Sequence, residues 1–120
     1  MEDANDSVRV EQARSRITEV TPREALDMRR RGEDVVYLDV RENAEWNLFR
    51  IPDAVHIPLG SVAERVEGTV ARDQCVLVYC ARGNRSAVAA EALQRMGYAN
   101  VLSLSGGVRG WAEAGGELEE

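Results

Sequence analysis

The sequence predicts an α/β fold in which a mostly parallel, five-stranded sheet is covered by helices on both faces. Five short apolar runs alternate with segments that carry helix start and stop signals. Alternation of this kind favours right-handed strand–helix–strand units around a parallel sheet. The chain has 120 residues, and roughly 100 to 200 residues make one domain. Residues 1–15 are polar and highly charged, which predicts a tail or a loosely packed helix before a domain over 16–120.

The first strand is expected over 16–20, and a helix should follow it. Thr21, Pro22 and Glu24 form the pattern of a capping box with proline at the first helical position. Gly32 should end that helix. The nearly continuous apolar run over 35–40 is typical of a strand that is buried on both faces.

The middle of the chain predicts shorter elements. A short helix is expected over 43–49 and a third strand over 54–57, which Pro58 closes. Ser61 and Glu64 have the spacing of a second capping box, so another short helix should begin there.

The C-terminal half carries the strongest signals. The run over 75–79 is the most apolar strand candidate, and an alanine-rich helix is expected over 86–96, ended by Gly97. A last strand over 100–104 and a closing helix over 107–114 complete the predicted sheet and its cover.

Composition excludes several classes of function. The 15 cationic residues, all arginine, face 21 acidic ones, giving a net charge of −6. An acidic domain of this kind lacks the basic patch that non-specific nucleic-acid binding requires. The longest apolar run, over 75–81, has seven residues, whereas a membrane-spanning helix needs about 20. The acidic N-terminus does not have the pattern of a signal peptide. A soluble, cytoplasmic protein is expected, with no partner among nucleic acids or membranes.

The two cysteines, Cys75 and Cys80, do not predict a disulfide. If the residues between them form a strand, their Cα atoms lie about 16 Å apart, and a disulfide tolerates about 7 Å at most. With His56 as the one histidine, the ligands are too few for a structural zinc site. At least one thiol is therefore free, and no metal is expected.

The segment from Cys80 onward predicts a reactive cysteine. It connects the most apolar strand to the longest helix, so the loop amides and the positive end of the helix dipole surround the sulfur. Arg82 and Arg85 add positive charge, and all these groups favour a thiolate over a thiol. Gly83 permits backbone angles that other residues resist. We therefore expect Cys80 to be the nucleophile and the loop to bind anions. The predicted loop residues are Ala81, Arg82, Gly83, Asn84, Arg85 and Ser86.

Four segments of the chain carry a specific pattern: LDVRE at 38–42, RIPDAVHIP at 50–58, VYCARGNRS at 78–86 and LSGGVRGW at 104–111. Together they resemble the single-domain rhodaneses, sulfurtransferases with one catalytic cysteine in a six-residue loop. The resemblance covers residues 16–115 and implies a three-layer rhodanese-like fold. It is especially similar to free-standing thiosulfate sulfurtransferases and to domains that pass persulfide sulfur to carrier partners. The chain departs from the family at Arg50 and Asp53, where histidine and glycine are usual, and over 115–118, where a Gly-x-Pro ending is usual.

The resemblance implies a reaction without a cofactor. Cys80 would take the outer sulfur of thiosulfate or of a persulfide donor, hold it as a persulfide, and pass it to a thiol, cyanide or an acceptor protein. Asp39 and Arg41 would support the site, and Arg82 would face incoming anions. Arg85 would be braced by a carboxylate, for which the end of the neighbouring strand suggests Asp39.

Two other functions remain open at this point. Cysteine phosphatases and arsenate reductases of related fold place five residues between the cysteine and the arginine, whereas four separate Cys80 from Arg85, and Ser86 occupies the phosphatase arginine position. Regulatory modules that keep the fold without turnover usually lack the cysteine. Both features favour sulfur transfer.

Overall fold

The five predicted strands form one sheet in which every pairing between strands is parallel, which confirms the predicted α/β fold. The structure is a computed structural model that describes residues 4–120, with side chains from residue 8 onward. The strands are Thr18–Val20 (β1), Val35–Asp39 (β2), Val55–His56 (β3), Cys75–Tyr79 (β4) and Asn100–Leu104 (β5). Their order across the sheet is β1-β5-β4-β2-β3.

Helices cover both faces of this sheet. They are Ala4–Arg14 (α1), Pro22–Arg30 (α2), Asn43–Leu48 (α3), Val62–Arg65 (α4), Asn84–Arg95 (α5) and Gly107–Glu113 (α6), and short 3₁₀ turns lie on either side of α4. Because side chains alternate between the two faces along each strand, Val76 and Val78 of β4 face one core with α4 and α5. Leu77 and Tyr79 face the other core with α2 and α6.

The two predicted capping boxes have different outcomes. Thr21 Oγ1 accepts from the Glu24 amide at 3.1 Å, and the Glu24 carboxylate accepts from the Thr21 amide at 2.8 Å, so the first is confirmed. The second is wrong. Ser61 already belongs to the 3₁₀ turn Leu59–Ser61 and makes no side-chain capping bond, because its backbone is not in the extended conformation that an N-cap requires.

The N-terminal segment forms α1, which lies against α5. Ala13 is fully buried, the Arg14 guanidinium donates to Asn84 Oδ1 at 2.9 Å, and Arg16 donates to Glu91 at 2.8 Å. The first three residues of the predicted tail lie outside the described residues. In the described part of the chain, no helix is both long and apolar enough to cross a bilayer.

Candidate active site

The loop after β4 is anchored by the first turn of α6. The Val108 amide donates to the Cys80 carbonyl at 2.8 Å, and the Arg109 amide donates to the Ala81 carbonyl at 3.2 Å. These bonds use the loop carbonyls and turn the loop amides toward the cysteine side chain. The end of β4 and the start of α6 therefore act together to fix the backbone of the loop.

Two glycines allow this close approach. A Cβ on Gly107 (φ +61°) would lie 2.4 Å from the carbonyl carbon and oxygen of Ala81, which is less than any real Cβ contact allows. Gly83 has φ +103°, a left-handed conformation that side chains resist. It precedes α5 and lets the helix begin at Asn84, two residues earlier than the predicted residue 86. The early start places more helix amides near the cysteine.

The Cys80 sulfur lies at the centre of the loop. It accepts hydrogen bonds from the amides of Gly83 at 3.1 Å and Ser86 at 3.4 Å. The residue is only 1% exposed, so a small terminal atom can reach the sulfur more readily than a bulky group can. Among the described hydrogen bonds, none uses the amides of Arg82, Asn84 or Arg85. They are the unpaired donors expected at a helix N-terminus.

Two buried hydroxyl groups, those of Ser86 and Ser103, extend the hydrogen-bond network around Cys80 Sγ. Ser86 Oγ lies 3.6 Å from Cys80 Sγ and 2.9 Å from Ser103 Oγ, and both serines are fully buried. As a thiol, Cys80 donates to Ser86 Oγ, and either serine can donate to the other. If Cys80 ionises, the sulfur carries no hydrogen, and the contact is then a hydrogen bond only when Ser86 donates to the sulfur and Ser103 donates to Ser86. The sequence analysis missed Ser103, although a serine within the apolar strand NVLSL was a usable signal.

Replacing Ser103 with alanine should slow alkylation of Cys80 at neutral pH by about two- to tenfold, since one hydrogen bond contributes roughly 0.5–1.5 kcal/mol. The change leaves the Ser86 hydroxyl without its donor, so the hydroxyl no longer points reliably at the sulfur. Alkylation kinetics of the Cys75→Ser background measure the effect. Ser61→Ala, at a serine with no side-chain capping bond, is the matched control. Equal rates for the Ser103→Ala and Ser61→Ala proteins would contradict the prediction.

Arg82 and Asn84 occupy different surroundings although both lie in the loop. Arg82 is exposed and borders a groove beside the site. Among the side chains that the structure describes, no carboxylate lies within ion-pair distance of Arg82. Asn84 Oδ1 instead accepts from Arg14, so this side chain faces α1. Of the two, Arg82 is the one available to an approaching anion.

Arg85 is braced by a carboxylate, but the carboxylate is Glu45 and not the predicted Asp39. The Arg85 guanidinium donates to the two Glu45 oxygens at 2.7 and 3.0 Å. Asp39 shares the sheet face of Tyr37 and Tyr79, opposite the face that α5 covers, because side chains alternate along β2. The adjacent strand ends therefore do not bring Asp39 and Arg85 into contact. Sequence reasoning gave Glu45 no role.

The hydrogen bonds from Arg85 lower the pKa of Glu45 from its ordinary value of 4.5 to about 2. A carboxylate with a lowered pKa stabilises the fold fully above pH 4.5 and loses that contribution as the pH falls toward 2. Both partners keep about a third of the side chain exposed, which limits the contribution to about 1 kcal/mol.

The Glu45→Gln change should therefore lower the free energy of unfolding by about 1 kcal/mol at neutral pH. The difference from the native protein should disappear between pH 4.5 and 2, where native Glu45 takes up a proton. Urea unfolding at several pH values measures it. The control is Glu67→Gln, which removes an exposed pair with Arg72. A difference that grows on acidification would contradict the assignment.

Asp39 and Arg41 form a buried ion pair at the end of β2. Arg41 donates from its backbone amide, Nε and Nη2 to the Asp39 carboxylate at 2.8–3.1 Å, and from Nη2 to the Phe49 carbonyl at 2.6 Å. Both residues are at most 2% exposed. His56 Nε2 lies 2.8 Å from the Arg41 carbonyl oxygen. The cluster holds together β2, β3 and the segment after α3, next to the cysteine loop.

Cys75 lies at the other end of β4 from Cys80, and both thiols are free. Burial raises the pKa of the Cys75 thiol, and the nearby carboxylates of Glu33 and Asp34 raise it further. Cys75 therefore remains a protonated thiol at neutral pH, in surroundings that favour no anion.

Comparisons with known proteins agree with this geometry. The model of the rhodanese-like domain family matches residues 21–114. The chain is 39% identical over 83 residues to a sulfurtransferase from Allochromatium vinosum, covering 69% of this chain and 77% of the relative. It is 38% identical over 102 residues to the thiosulfate sulfurtransferase GlpE from Actinobacillus succinogenes, covering 85% and 90%. The chain is also 34% identical over 96 residues to a longer protein from Mycobacterium tuberculosis described as a probable adenylyltransferase/sulfurtransferase, MoeZ, covering 78% of this chain and 24% of that protein.

Solved structures show the same fold. A protein of unknown function from Rhodopseudomonas palustris, described as a possible tyrosine phosphatase, superimposes with a TM-score of 0.88 at 28% identity, covering 99% of this chain and 97% of that one. With the family match, the sulfurtransferase relatives and the cysteine loop in agreement, the chain belongs to the rhodanese-like domain family.

Proposed function

We propose that this protein moves a sulfane sulfur from thiosulfate or a persulfide donor to a thiol, cyanide or protein acceptor through a persulfide on Cys80. The observation that carries the proposal is the buried Cys80 sulfur, which accepts two amide hydrogen bonds at the start of α5. These amide donors favour a thiolate, and the Ser86 hydroxyl, 3.6 Å from the sulfur, would donate to it once the thiol proton is lost. The sulfurtransferase relatives support the same reaction class.

The proposed reaction has two half-reactions. The Cys80 thiolate attacks the outer sulfur of thiosulfate, a new S–S bond forms, and the old S–S bond breaks with its electron pair leaving on sulfite. An acceptor thiolate or cyanide then attacks the outer sulfur, and the Cys80 thiolate is released. Each half-reaction conserves charge and moves no proton, so no general base is required. This is ping-pong covalent catalysis.

The unpaired loop amides support the persulfide intermediate. The outer sulfur carries the negative charge, and the amides of Arg82, Asn84 and Arg85 are donors without acceptors among the described residues. Such an amide nest stabilises an anion with little reorganisation. In this proposal Arg82 attracts the anionic donor, while Asp39 and Arg41 hold the supporting scaffold. The reaction needs a free thiol at Cys80, which favours a reducing cytoplasm.

We further propose that residues 16–120 carry this activity and that the segment before residue 16 is not required for the chemistry. The family match over 21–114 lies inside this range. The segment does contact the loop through Arg14 and Asn84, so its role is to support the loop.

The ion pair of Arg85 disfavours phosphatase activity. A phosphatase arginine must present its guanidinium to the phosphate oxygens, whereas both ends of the Arg85 guanidinium bind Glu45. The loop from Cys80 to Arg85 is also one residue shorter than a phosphatase loop. The short loop would therefore crowd the oxygens of a tetrahedral phosphate, and no free arginine side chain would be placed to bind them. A single sulfur atom is small enough for the loop and needs no such arginine.

The test is to incubate the purified protein with thiosulfate and to measure sulfite release and the intact mass. One added sulfur atom, located on Cys80 by peptide mapping, is expected, and cyanide should remove it as thiocyanate. Hydrolysis of an aryl phosphate should be negligible. Phosphatase turnover that depends on Cys80, without sulfur uptake, would overturn the proposal in favour of phosphatase chemistry. The absence of both activities would favour a non-catalytic regulatory module.

A further inference from the structure

One side chain of α1 reaches the cysteine loop from outside the segment that the family model matches. The Arg14 guanidinium donates to Asn84 Oδ1 at 2.9 Å, whereas the family match begins at residue 21. The donating atom, Nη2, also lies 3.7 Å from the position that a Cβ on Gly83 would occupy. The guanidinium therefore lies beside the two residues at which α5 begins, next to the amides that surround the Cys80 sulfur.

The packing of the N-terminal segment fixes Arg14 in this position. Ala13, the preceding residue, is fully buried, and Arg16 donates to Glu91 of α5 at 2.8 Å. Arg14 Nε lies 3.7 Å from a carboxylate oxygen of Glu19, so the side chain brings little net charge to the loop. Its hydrogen bond, rather than its charge, is what it contributes there.

The Asn84 side chain has a second possible partner within the loop. Asparagine is preferred at the N-cap of a helix, where its side-chain oxygen accepts from the amide two or three residues further on. For Asn84 those amides belong to Ser86 and Ala87. In the structure Asn84 is instead the first residue of α5, and the Ser86 amide donates to Cys80 Sγ at 3.4 Å. An Asn84 oxygen without a partner would therefore compete with the sulfur for the Ser86 amide.

We infer that Arg14 is a positioning residue for the cysteine loop. By binding the Asn84 oxygen, it keeps that oxygen away from the loop amides, so the Ser86 amide stays with the sulfur. Gly83 permits the early start of α5, and Arg14 maintains it. The inference rests on the proposed function, in which Cys80 is the nucleophile. Arg14 touches no reacting atom, so sulfur transfer proceeds without it at a lower rate.

The test is the alkylation rate of Cys80 at neutral pH in the Cys75→Ser background, because alkylation requires the thiolate. Arg14→Met keeps a long side chain but has no donor, which frees the Asn84 oxygen to take the Ser86 amide. Alkylation should slow by about two- to tenfold, the range for one lost hydrogen bond, and kcat/KM for thiosulfate should fall by the same factor. Arg14→Lys keeps a donor and should retain most of the rate.

A second replacement separates the effect of the Asn84 oxygen from other effects of Arg14. Asn84→Ala removes the competing acceptor, so adding it to the Arg14→Met protein should restore the alkylation rate by the factor that was lost. If the hydrogen bond only fastened α1 to α5, the double variant would stay as slow as Arg14→Met. The same would hold if the charge of Arg14 acted directly on the sulfur.

Arg16→Met is the matched control. Arg16 also joins the N-terminal segment to α5, but it does so at Glu91, about two helical turns beyond Asn84. Both methionine variants remove one arginine bond between this segment and α5, so urea unfolding should show similar losses of stability. The Arg16→Met protein should nevertheless be alkylated at the rate of the Cys75→Ser background.

The outcomes separate the inference from the proposed function. Equal alkylation rates for the Arg14→Met and Arg16→Met proteins would overturn the inference, and so would a double variant that stays slow. Either result leaves sulfur uptake from thiosulfate by the native protein unaffected. If the native protein took up no sulfur on Cys80, the proposed function would fail whatever the alkylation rates of the variants.

Discussion

The Cys80→Ser protein should have no measurable sulfur transfer, a loss on the order of 10⁴-fold or more by comparison with other covalent nucleophiles. A serine hydroxyl is not ionised at neutral pH and does not form the S–S bond that the reaction requires. The fold should remain intact, because the smaller side chain fits and its oxygen accepts from the Gly83 and Ser86 amides in place of the sulfur. Thiocyanate production and urea unfolding measure the two quantities.

Cys75→Ser is the matched control, because it removes the other free thiol from the same strand. Burial and the carboxylates of Glu33 and Asp34 keep Cys75 protonated, so its loss should leave sulfur transfer nearly unchanged. If the Cys75→Ser protein lost as much activity as the Cys80→Ser protein, the assignment of the nucleophile would fail.

The Asp39→Asn protein should be about 3–5 kcal/mol less stable than the native protein, the usual cost of breaking a buried ion pair from one side. Arg41 is 2% exposed and makes three side-chain hydrogen bonds to the Asp39 carboxylate. Asparagine keeps the shape but not the charge, so the guanidinium stays buried without a counter-ion. Urea unfolding at neutral pH measures the loss.

The exposed pair of Arg72 and Glu67 provides the comparison for this change. Glu67→Gln should cost less than about 1 kcal/mol, because solvent screens exposed pairs. The double replacement Asp39→Leu with Arg41→Met should recover part of the stability lost in Asp39→Asn, since it removes both buried charges. Equal stability of the Asp39→Asn and Glu67→Gln proteins would show that the buried pair has no special energetic role.

Much of the fold was predictable because its signals are local. The strands β4 and β5 have the predicted bounds, and the Thr21 capping box has the predicted bonds. The start of α5 was not predicted. It depends on the left-handed conformation that Gly83 adopts, in which a Cβ would lie 3.2 Å from the Gly106 amide nitrogen and the Leu104 carbonyl oxygen. Gly83 was expected to permit such backbone angles, but Gly106 and Leu104 lie more than 20 positions along the chain, so the local sequence does not show that the helix begins directly after Gly83.

The candidate site likewise has parts that follow from the local sequence and parts that depend on distant residues. The position of Cys80 follows from one strand, one loop and one helix that are contiguous in sequence. The partner of Arg85 does not follow from the local sequence. Glu45 belongs to α3 and comes close to Arg85 only in the folded structure. Ser103 and Gly107 likewise reach the site from β5 and α6. Strand alternation, applied to Asp39, would have argued against the predicted pairing with Arg85.

Because α6 anchors the loop, the main chain and the side chains of the loop have separate roles. The sulfur contacts backbone amides on one side, and the loop carbonyls bind Val108 and Arg109 on the other. The exposed side chains of Arg82 and Asn84 take no part in either set of bonds. A substitution at Arg82, the residue available to an approaching anion, should therefore change which donors reach the sulfur while the backbone bonds to the sulfur stay in place. A library of variants at Arg82 would vary donor preference without rebuilding the bonds around the nucleophile.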